Sequence, residues 1–274
     1  MHNAVVIIIY SPFPSDIELA SFSQCINIFK YQDLIITCPY SLNVEIYENI
    51  IKDYNVNILF ERFEDSFFIS ISSYNKLMKS KLFYERFIKY NYILIYQLDA
   101  WVFKDELNFW CKKNFDYIGA PWYNSNGEML NSAGNGGFSL RKVSTFNKLL
   151  SGKYDELKLN KIIFFLNVLK YYFLLYDFKK LIKNIYYIFK CRITILRYIF
   201  FNKEENEDIS FYRFFSLFPL TKVANSKEAL SFSFEQFPED LFKRNNFKIP
   251  FGCHAFLKYN PNFWIKFIPA INQK

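Results

Sequence analysis

Short unbroken apolar runs alternate along the chain with segments of helical spacing. Residues 4 to 10, Ala-Val-Val-Ile-Ile-Ile-Tyr, stop at Ser11-Pro12 and read as a strand buried on both faces, as in parallel sheets. Asp16 is the expected N-cap of a helix reaching about Lys30. Leu34 to Cys38, stopped by Pro39, is a second strand, 43 to 54 a helix, and 57 to 60 a third strand. Residues 74 to 90 are expected to be helical with a break near Ser80, and Tyr92 to Leu98 is a fourth strand ending on Asp99. This β-α-β-α-β-α-β order predicts a Rossmann-type α/β sheet with helices on both faces. Ligands of such sheets bind beyond the strand carboxyl ends, so Pro12, Pro39 and Asp99 mark one side of the expected site.

The rhythm then changes. Tyr117–Trp122 and Gly137–Arg141 look like strands around a loop, and five of the seven glycines (119, 127, 134, 136, 137) fall here. A glycine-poor chain has concentrated glycine where the backbone turns sharply or approaches a ligand. Residues 155 to 203 read as two or three helices, with Phe164, Val168, Tyr171, Tyr172 and Leu175 at helical spacing. Beyond them a short helix starts at Asn206 and a strand lies near Val223. Irregular chain carries Pro250, Pro261 and Pro269.

Composition narrows the class. The 274 residues are 51% apolar and 22% charged, which excludes a disordered chain, and the scarcity of glycine excludes collagen-like or Gly-rich repeats. The net charge of +8 is local: residues 158 to 203 hold ten Lys/Arg and one acid, Asp177, so this segment is +9 and the remainder −1. Interleaved with aromatics, it suits an interfacial helix on anionic lipid or a self-packed helical hairpin. Its apolar content exceeds what phosphate binding needs, so nucleic acid is set aside as a partner. The five cysteines are odd in number and lack C-x-x-C spacing, and are expected to be reduced core thiols. No basic signal-peptide start and no uncharged apolar run near the roughly 18 residues of a membrane span is seen, so a cytoplasmic protein is expected.

Four constellations could carry chemistry. Gln97-Leu98-Asp99 ends a strand in a carboxylate, either a divalent-cation ligand for a diphosphate or a turn cap. Gly134-Asn-Gly-Gly-Phe-Ser-Leu-Arg141 lacks a P-loop ending; paired glycines entering a strand admit a flat ligand such as a sugar ring, or make a tight turn. Asn206-Glu207-Asp208 places two acids at a helix start, either complementing the helix dipole or holding a general base. His254 is the one interior histidine, a candidate ligand or acid/base and otherwise a packed core residue.

Taken in order, Tyr96-Gln-Leu-Asp-Ala-Trp-Val-Phe103, Tyr117-Ile-Gly-Ala-Pro-Trp122, Gly134–Arg141, Asn206-Glu-Asp208 and Pro250-Phe-Gly-Cys-His-Ala-Phe256 resemble a family of bacterial glycosyltransferase-like proteins. That family is labelled as a domain of unknown function and is common in surface-polysaccharide gene clusters. Tyr74-Asn-Lys-Leu-Met78 and Phe83-Tyr84-Glu85 fit as well, and the resemblance leaves out 155 to 203. More distantly the layout is similar to GT-A-fold enzymes such as the beta-1,4-galactosyltransferases. The resemblance implies a GT-A-like mixed sheet flanked by helices. Residues 1–150 would be the nucleotide-sugar half, 151–205 a basic helical insert, and 206–274 the acceptor and metal-ligand part. It implies a UDP-sugar donor, a glycan acceptor that includes lipid-linked ones, and Mn²⁺ or Mg²⁺. By the same mapping Asp99 and His254 hold the metal, and Gly136 and Gly137 form the donor-sugar wall. Asp208 is the base of an inverting transfer, and Glu207 orients the acceptor or shares the role. Gln97 stands where the first Asp of an Asp-x-Asp pair would be; it can bond a ribose but is a poor cation ligand, so a metal-independent transferase stays open. Sheet topology adds Tyr10, Ser11 and Pro12 at the base or ribose, Leu98 beside the nucleotide, and Asn75 at the ribose or diphosphate. The insert would bring the protein to the inner face of the cytoplasmic membrane. Non-catalytic sugar or nucleotide binding, or a membrane-associated module, is the alternative.

Overall fold

The computed structural model describes residues 2–153, 205–215, 218 and 220–272. The readings for 155–203, including the basic helical insert, lie outside the described residues.

The first half follows the expected order: β1 (Asn3–Ile8), α1 (Asp16–Phe29), β2 (Asp33–Pro39), α2 (Glu45–Tyr54), β3 (Ile58–Phe63), α3 (Ile71–Met78), α4 (Lys81–Glu85) and β4 (Tyr92–Gln97). Every residue of β1 is buried. Its odd positions, Val5 and Ile7, pack into the α1/α2 layer, and its even ones, Ala4, Val6 and Ile8, into the α3/α4 layer. The run is continuous because both faces of the strand are covered.

Two local readings are corrected. Ser15, not Asp16, caps α1: the Glu18 carboxylate accepts from both Ser15 N and Ser15 Oγ at 2.7 Å, and Asp16 is the first helical residue. The helix expected from residue 74 begins at Ile71, capped by Ser70. It breaks at Lys79, and Ser80 starts α4 by accepting from Phe83 N.

Beyond β4 come β5 (Ala100–Val102), α5 (Leu107–Lys112), β6 (Tyr117–Ile118), β7 (Pro121–Tyr123), β8 (Met129–Ala133), β9 (Phe138–Lys142) and α6 (Val143–Leu150). The main sheet has the order β3-β2-β1-β4-β9-β6. Its first four strands are parallel, while β9 runs antiparallel to β4 and to β6. The sheet is therefore mixed and flanked by helices. β2 and β3 lie on one side of β1, and β4 on the other, and this switch in strand order opens a crevice at the carboxyl ends of β1 and β4.

The C-terminal part supplies a helix at Glu207–Phe215, β10 (Ser233–Phe234) and β11 (Gly252–His254). The stretch around Pro250, read as irregular, contains β11, which pairs antiparallel with β5 and parallel with β10. The strand near Val223 is a single bridge to Tyr117. Cys25, Cys38, Cys111 and Cys253 are free and buried, as expected; Cys191 lies outside the described residues. Among the described residues no helix is long and apolar enough to cross a membrane.

Candidate active-site cleft

A cleft of about 570 Å³ opens at the carboxyl ends of β1 and β4. Strand register assembles one end of it. Gly137 extends the β4·β9 ladder, with Gln97 N donating to Gly137 O at 3.0 Å. Leu98 and Asp99 then form the turn that carries the chain from the main sheet into β5. His254 of β11 sits opposite Ala100, one residue beyond Asp99. Its Nε2 lies 3.1 Å from both Asp99 Oδ1 and Gln97 Oε1. Behind the ring, Glu235 Oε1 is 3.6 Å from Nδ1, which makes no hydrogen bond among the described residues. Burial opposes charge on His254, but the carboxylates of Asp99 and Glu235 outweigh it and lift the imidazole to about 10. Burial also opposes the Asp99 charge. The His254 hydrogen bond and field outweigh that too and hold the carboxyl below its ordinary value.

The glycines have a steric reason. A Cβ on Gly137 would fall 2.0 Å from His254 Nε2, and one on Gly136 would fall 2.3 Å from Glu207 Oε1. Both line the cleft, and both also leave room for a neighbouring functional side chain.

The other end is built by the Glu207–Phe215 helix. Glu207 Oε1 is paired with Arg141 Nη2 at 2.8 Å, the two side chains being 6% and 0% exposed. Arg141 also donates to Ser139 Oγ, Tyr84 OH and Gly136 O. Its guanidinium lies 5.5 Å from the Tyr117 ring centroid. The Glu207 carboxylate is thus engaged in a buried ion pair, which argues against the expected share in proton transfer. Asp208 Oδ2 accepts from Gly136 N at 3.3 Å and Oδ1 from Ile209 N at 2.7 Å. Burial, followed by the adjacent Glu207 charge, raises the Asp208 carboxyl to about 7. Asn75, expected at the ribose or diphosphate, lines the cleft but is engaged with the helix start. Its Oδ1 accepts from Glu207 N at 3.4 Å and its Nδ2 donates to Asn206 Oδ1 at 3.3 Å.

Tyr10, Ser11, Asn75, Gln97, Leu98, Asp99, Gly136, Gly137, Glu207, Asp208 and His254 all line this one cleft, whereas Pro12 and Pro39 do not. Pro12 is exposed beyond the strand end. Sequence reasoning missed Glu235, Lys258 and Tyr74, which line the cleft, and Arg141, which anchors it. Tyr74 carries a buried hydroxyl with no hydrogen-bond partner among the described residues; in the sequence it stands beside Asn75 in the Tyr74–Met78 motif without a role of its own. Nothing in the local pattern singles out Glu235.

The donors at the first end are a carboxylate oxygen, an amide oxygen and an imidazole nitrogen. Among the described residues no group of three or more His, Cys, Asp or Glu side chains could hold a metal ion. Mg²⁺ and similar ions, however, are commonly held by one or two protein ligands together with substrate phosphates. The Glu235 carboxylate stands 3.6 Å from His254 Nδ1, on the side from which a carboxylate would orient a metal-binding imidazole, but beyond hydrogen-bond distance of it. Once His254 Nε2 gives up its proton, as cation binding requires, the residues present fit a cation shared with a diphosphate, and they do not form a closed all-protein site.

Residues 57–254 match the family model described as "Protein of unknown function (DUF5672)". The chain belongs to this family. No curated protein matches. Among solved structures, it is similar to the glycosyltransferase GlyE of Streptococcus pneumoniae TIGR4, with 12% identity over 92% of this chain and 54% of that one, at a TM-score of 0.48. It is also similar to core-mannan synthase A of Aspergillus fumigatus in a Mn/GDP form, with 9% identity over 57% and 64% of the two chains, at 0.43. A third similarity is to HddC of Yersinia pseudotuberculosis, with 15% identity over 54% and 80%, at 0.36. The chain thus spans about half of GlyE and under two thirds of the mannan synthase.

Proposed function

We propose that this protein is a glycosyltransferase that moves a sugar from a nucleotide-sugar, a UDP-sugar in our reading, to a glycan acceptor. The observation that carries the proposal is the convergence in one switch-point cleft of two unlike ends. Asp99, His254 and Gln97 gather at one, and the buried Asp208 at the other. A nucleotide-sugar has the same polarity, with a charged diphosphate on one side and a reacting anomeric carbon on the other.

In this reading Tyr10 and Ser11, at the end of β1, contact the base or ribose. Asp99 and His254 would hold a divalent cation, Mn²⁺ or Mg²⁺. When bound, such an ion supplies positive charge to a departing diphosphate. Asp208 accepts the proton of the acceptor hydroxyl as that oxygen bonds to the anomeric carbon. The bond from that carbon to the diphosphate oxygen breaks, with the electron pair leaving on the diphosphate. Attack from the opposite face inverts the anomeric centre. A carboxyl raised to about 7 suits this task, because a base poised near the working pH is both available and strong enough. Glu207 is a positioning residue, holding Arg141 and placing its charge beside Asp208.

Following the sequence resemblance, the acceptor belongs to a bacterial surface polysaccharide such as O-antigen, capsule or lipooligosaccharide, lipid-linked forms included. The basic segment 158–203 would dock the enzyme on the anionic inner face of the cytoplasmic membrane, at roughly 1 kcal/mol per basic residue near the surface. Deleting it should abolish sedimentation with anionic vesicles.

The deciding experiment is nucleotide release from UDP-, GDP- and CMP-sugars with Mn²⁺, Mg²⁺ or EDTA, in wild type, Asp99→Asn and Asp208→Asn. One donor should turn over, with loss in EDTA and in both variants. Turnover that survives EDTA removes the cation from the reading, and absence of turnover with every donor removes the transferase.

A further inference from the structure

A second cleft, of about 620 Å³, adjoins the first, and Lys258 lines both. The chain after β10 forms the ridge between them: Glu235 lines the first cleft, and Gln236 and Phe237 line the second. Phe237 is unusual there. It holds a left-handed backbone at φ 48° and ψ 54°, uncommon for a bulky side chain, and the residue is 49% exposed. Strained backbone and a half-exposed aromatic ring at a cleft wall are the marks of a binding feature rather than of packing. The ring is held in place by Tyr123, with centroids 4.7 Å apart. Asp240 Oδ2 accepts from Tyr123 OH at 2.8 Å and from Arg244 Nε at 2.6 Å, which fixes the wall behind it. Opposite, Gln236 Nε2 faces Tyr259 OH at 3.4 Å, and the Lys258 ammonium lies 5.0 Å from the Tyr259 ring centroid.

We propose that this second cleft is the acceptor subsite and that it binds a neutral hexopyranose unit of a glycan. The proposal rests on the reading of the first cleft as a nucleotide-sugar site. A pyranose has an apolar C–H face and a rim of hydroxyls. Phe237 supplies the flat apolar surface, and Gln236, Asp240, Tyr259 and Lys258 supply acceptors and donors around it. Acids and lysines are mixed along the wall, so no single-sign field selects a phosphate or a polyanion. Lys258 bridges the two clefts and its charge reaches Asp99, while the charge of Glu235, on the ridge between the clefts, reaches Asp208, so a sugar seated on Phe237 lies beside both ends of the donor cleft.

The test uses the full chain and saturation-transfer NMR with a panel of methyl hexopyranosides and methyl N-acetylhexosaminides, with and without UDP or GDP. At least one glycoside should bind wild type alongside the nucleotide. Phe237→Gly should weaken it at least tenfold while leaving nucleotide affinity unchanged, and Phe237→Trp should retain it. Glycine relieves the left-handed backbone and so offsets the lost Tyr123 contact; Phe237→Gly should stay folded at the assay temperature, which a thermal melt checks, so that its loss of binding is not unfolding. Binding of no glycoside, or undiminished binding by Phe237→Gly, overturns the proposal. If glycoside binding depends on Phe237 but neither nucleotide binds, the acceptor role falls with the proposed function and a saccharide site remains.

Discussion

Two of the ion pairs at the cleft have opposite character. Arg141–Glu207 is almost wholly buried, with its guanidinium fork bonded on several sides, and it ties β9 to a helix 66 residues later in the chain. Asp99–His254 has a similar contact distance, yet the Asp99 side chain is 50% exposed and opens into the cleft. Distance alone does not separate structure from function here; burial and the number of committed hydrogen bonds do. The first pair has spent its bonding capacity on protein, and the second has kept some for a ligand.

The largest expected effect breaks the first pair. Arg141→Met should cost about 3–5 kcal/mol, because it leaves Glu207 buried without its partner. Replacing both, as Arg141→Met with Glu207→Leu, should recover much of that loss, since the removed charges also no longer pay for desolvation. Denaturant midpoints measure both. A cost under about 1 kcal/mol for Arg141→Met would erase the contrast between the two pairs.

Next is the contact between the glycine pair and its neighbours. Gly137→Ala puts a methyl where the His254 ring stands, and overpacking of this kind costs about 1–3 kcal/mol. Because the ring must shift, the variant should also lose cation-stimulated turnover even where it remains folded. Thermal melts and a Mn²⁺ titration read the two effects separately. Retained Mn²⁺ stimulation would show that His254 is not needed at its observed position.

How far the sequence foretold these regions follows from the kind of order each depends on. The parallel half was legible because β1, β2 and β4 are buried on both faces and read as unbroken runs. The strand-end residues Tyr10, Ser11 and Asp99 were legible for the same reason, since topology places strand ends together, whereas Asp208 and His254 were brought to the site by the family resemblance. Arg141 was not. In Phe138-Ser-Leu-Arg, alternation would turn Ser139 and Arg141 to solvent, yet both are fully buried. The polar face of this strand turns inward because Glu207, far along the chain, completes it. Glu235 was hidden likewise: its place behind His254 depends on the two-residue pairing of β10 with β11, too short for any periodicity to reveal.

Asp208 lies between the two pairs and tests the contrast through pH. Its folded carboxyl is raised to about 7 from an ordinary 3.8, so between those values the folded state holds a proton that the unfolded state has lost. Stability therefore falls as pH rises from about 4 to about 7. Asp208→Asn removes this penalty and should gain about 1 kcal/mol at pH 7.5, roughly 2–4 °C in Tm, while abolishing transfer. Wild-type kcat/KM should rise with pH through about 7, as a base that must be ionised requires. A rate independent of pH across that interval would assign the proton to another group.

The smallest effect on stability, and the sharpest on function, belongs to Asp99. Half exposed, its pair with His254 is screened by water, and such pairs contribute about 0–1 kcal/mol. Asp99→Asn should therefore leave the denaturant midpoint almost unchanged. It should still remove the carboxylate from the cation site and end the difference between Mn²⁺ and EDTA in donor turnover. The comparison with Arg141→Met then becomes a double dissociation. One variant loses stability through a pair whose bonds are all to protein, and the other loses the ligand through a pair that scarcely holds the fold. A destabilisation by Asp99→Asn as large as that by Arg141→Met would mean that the open pair is structural as well, and the cation would have to be sought elsewhere in the cleft.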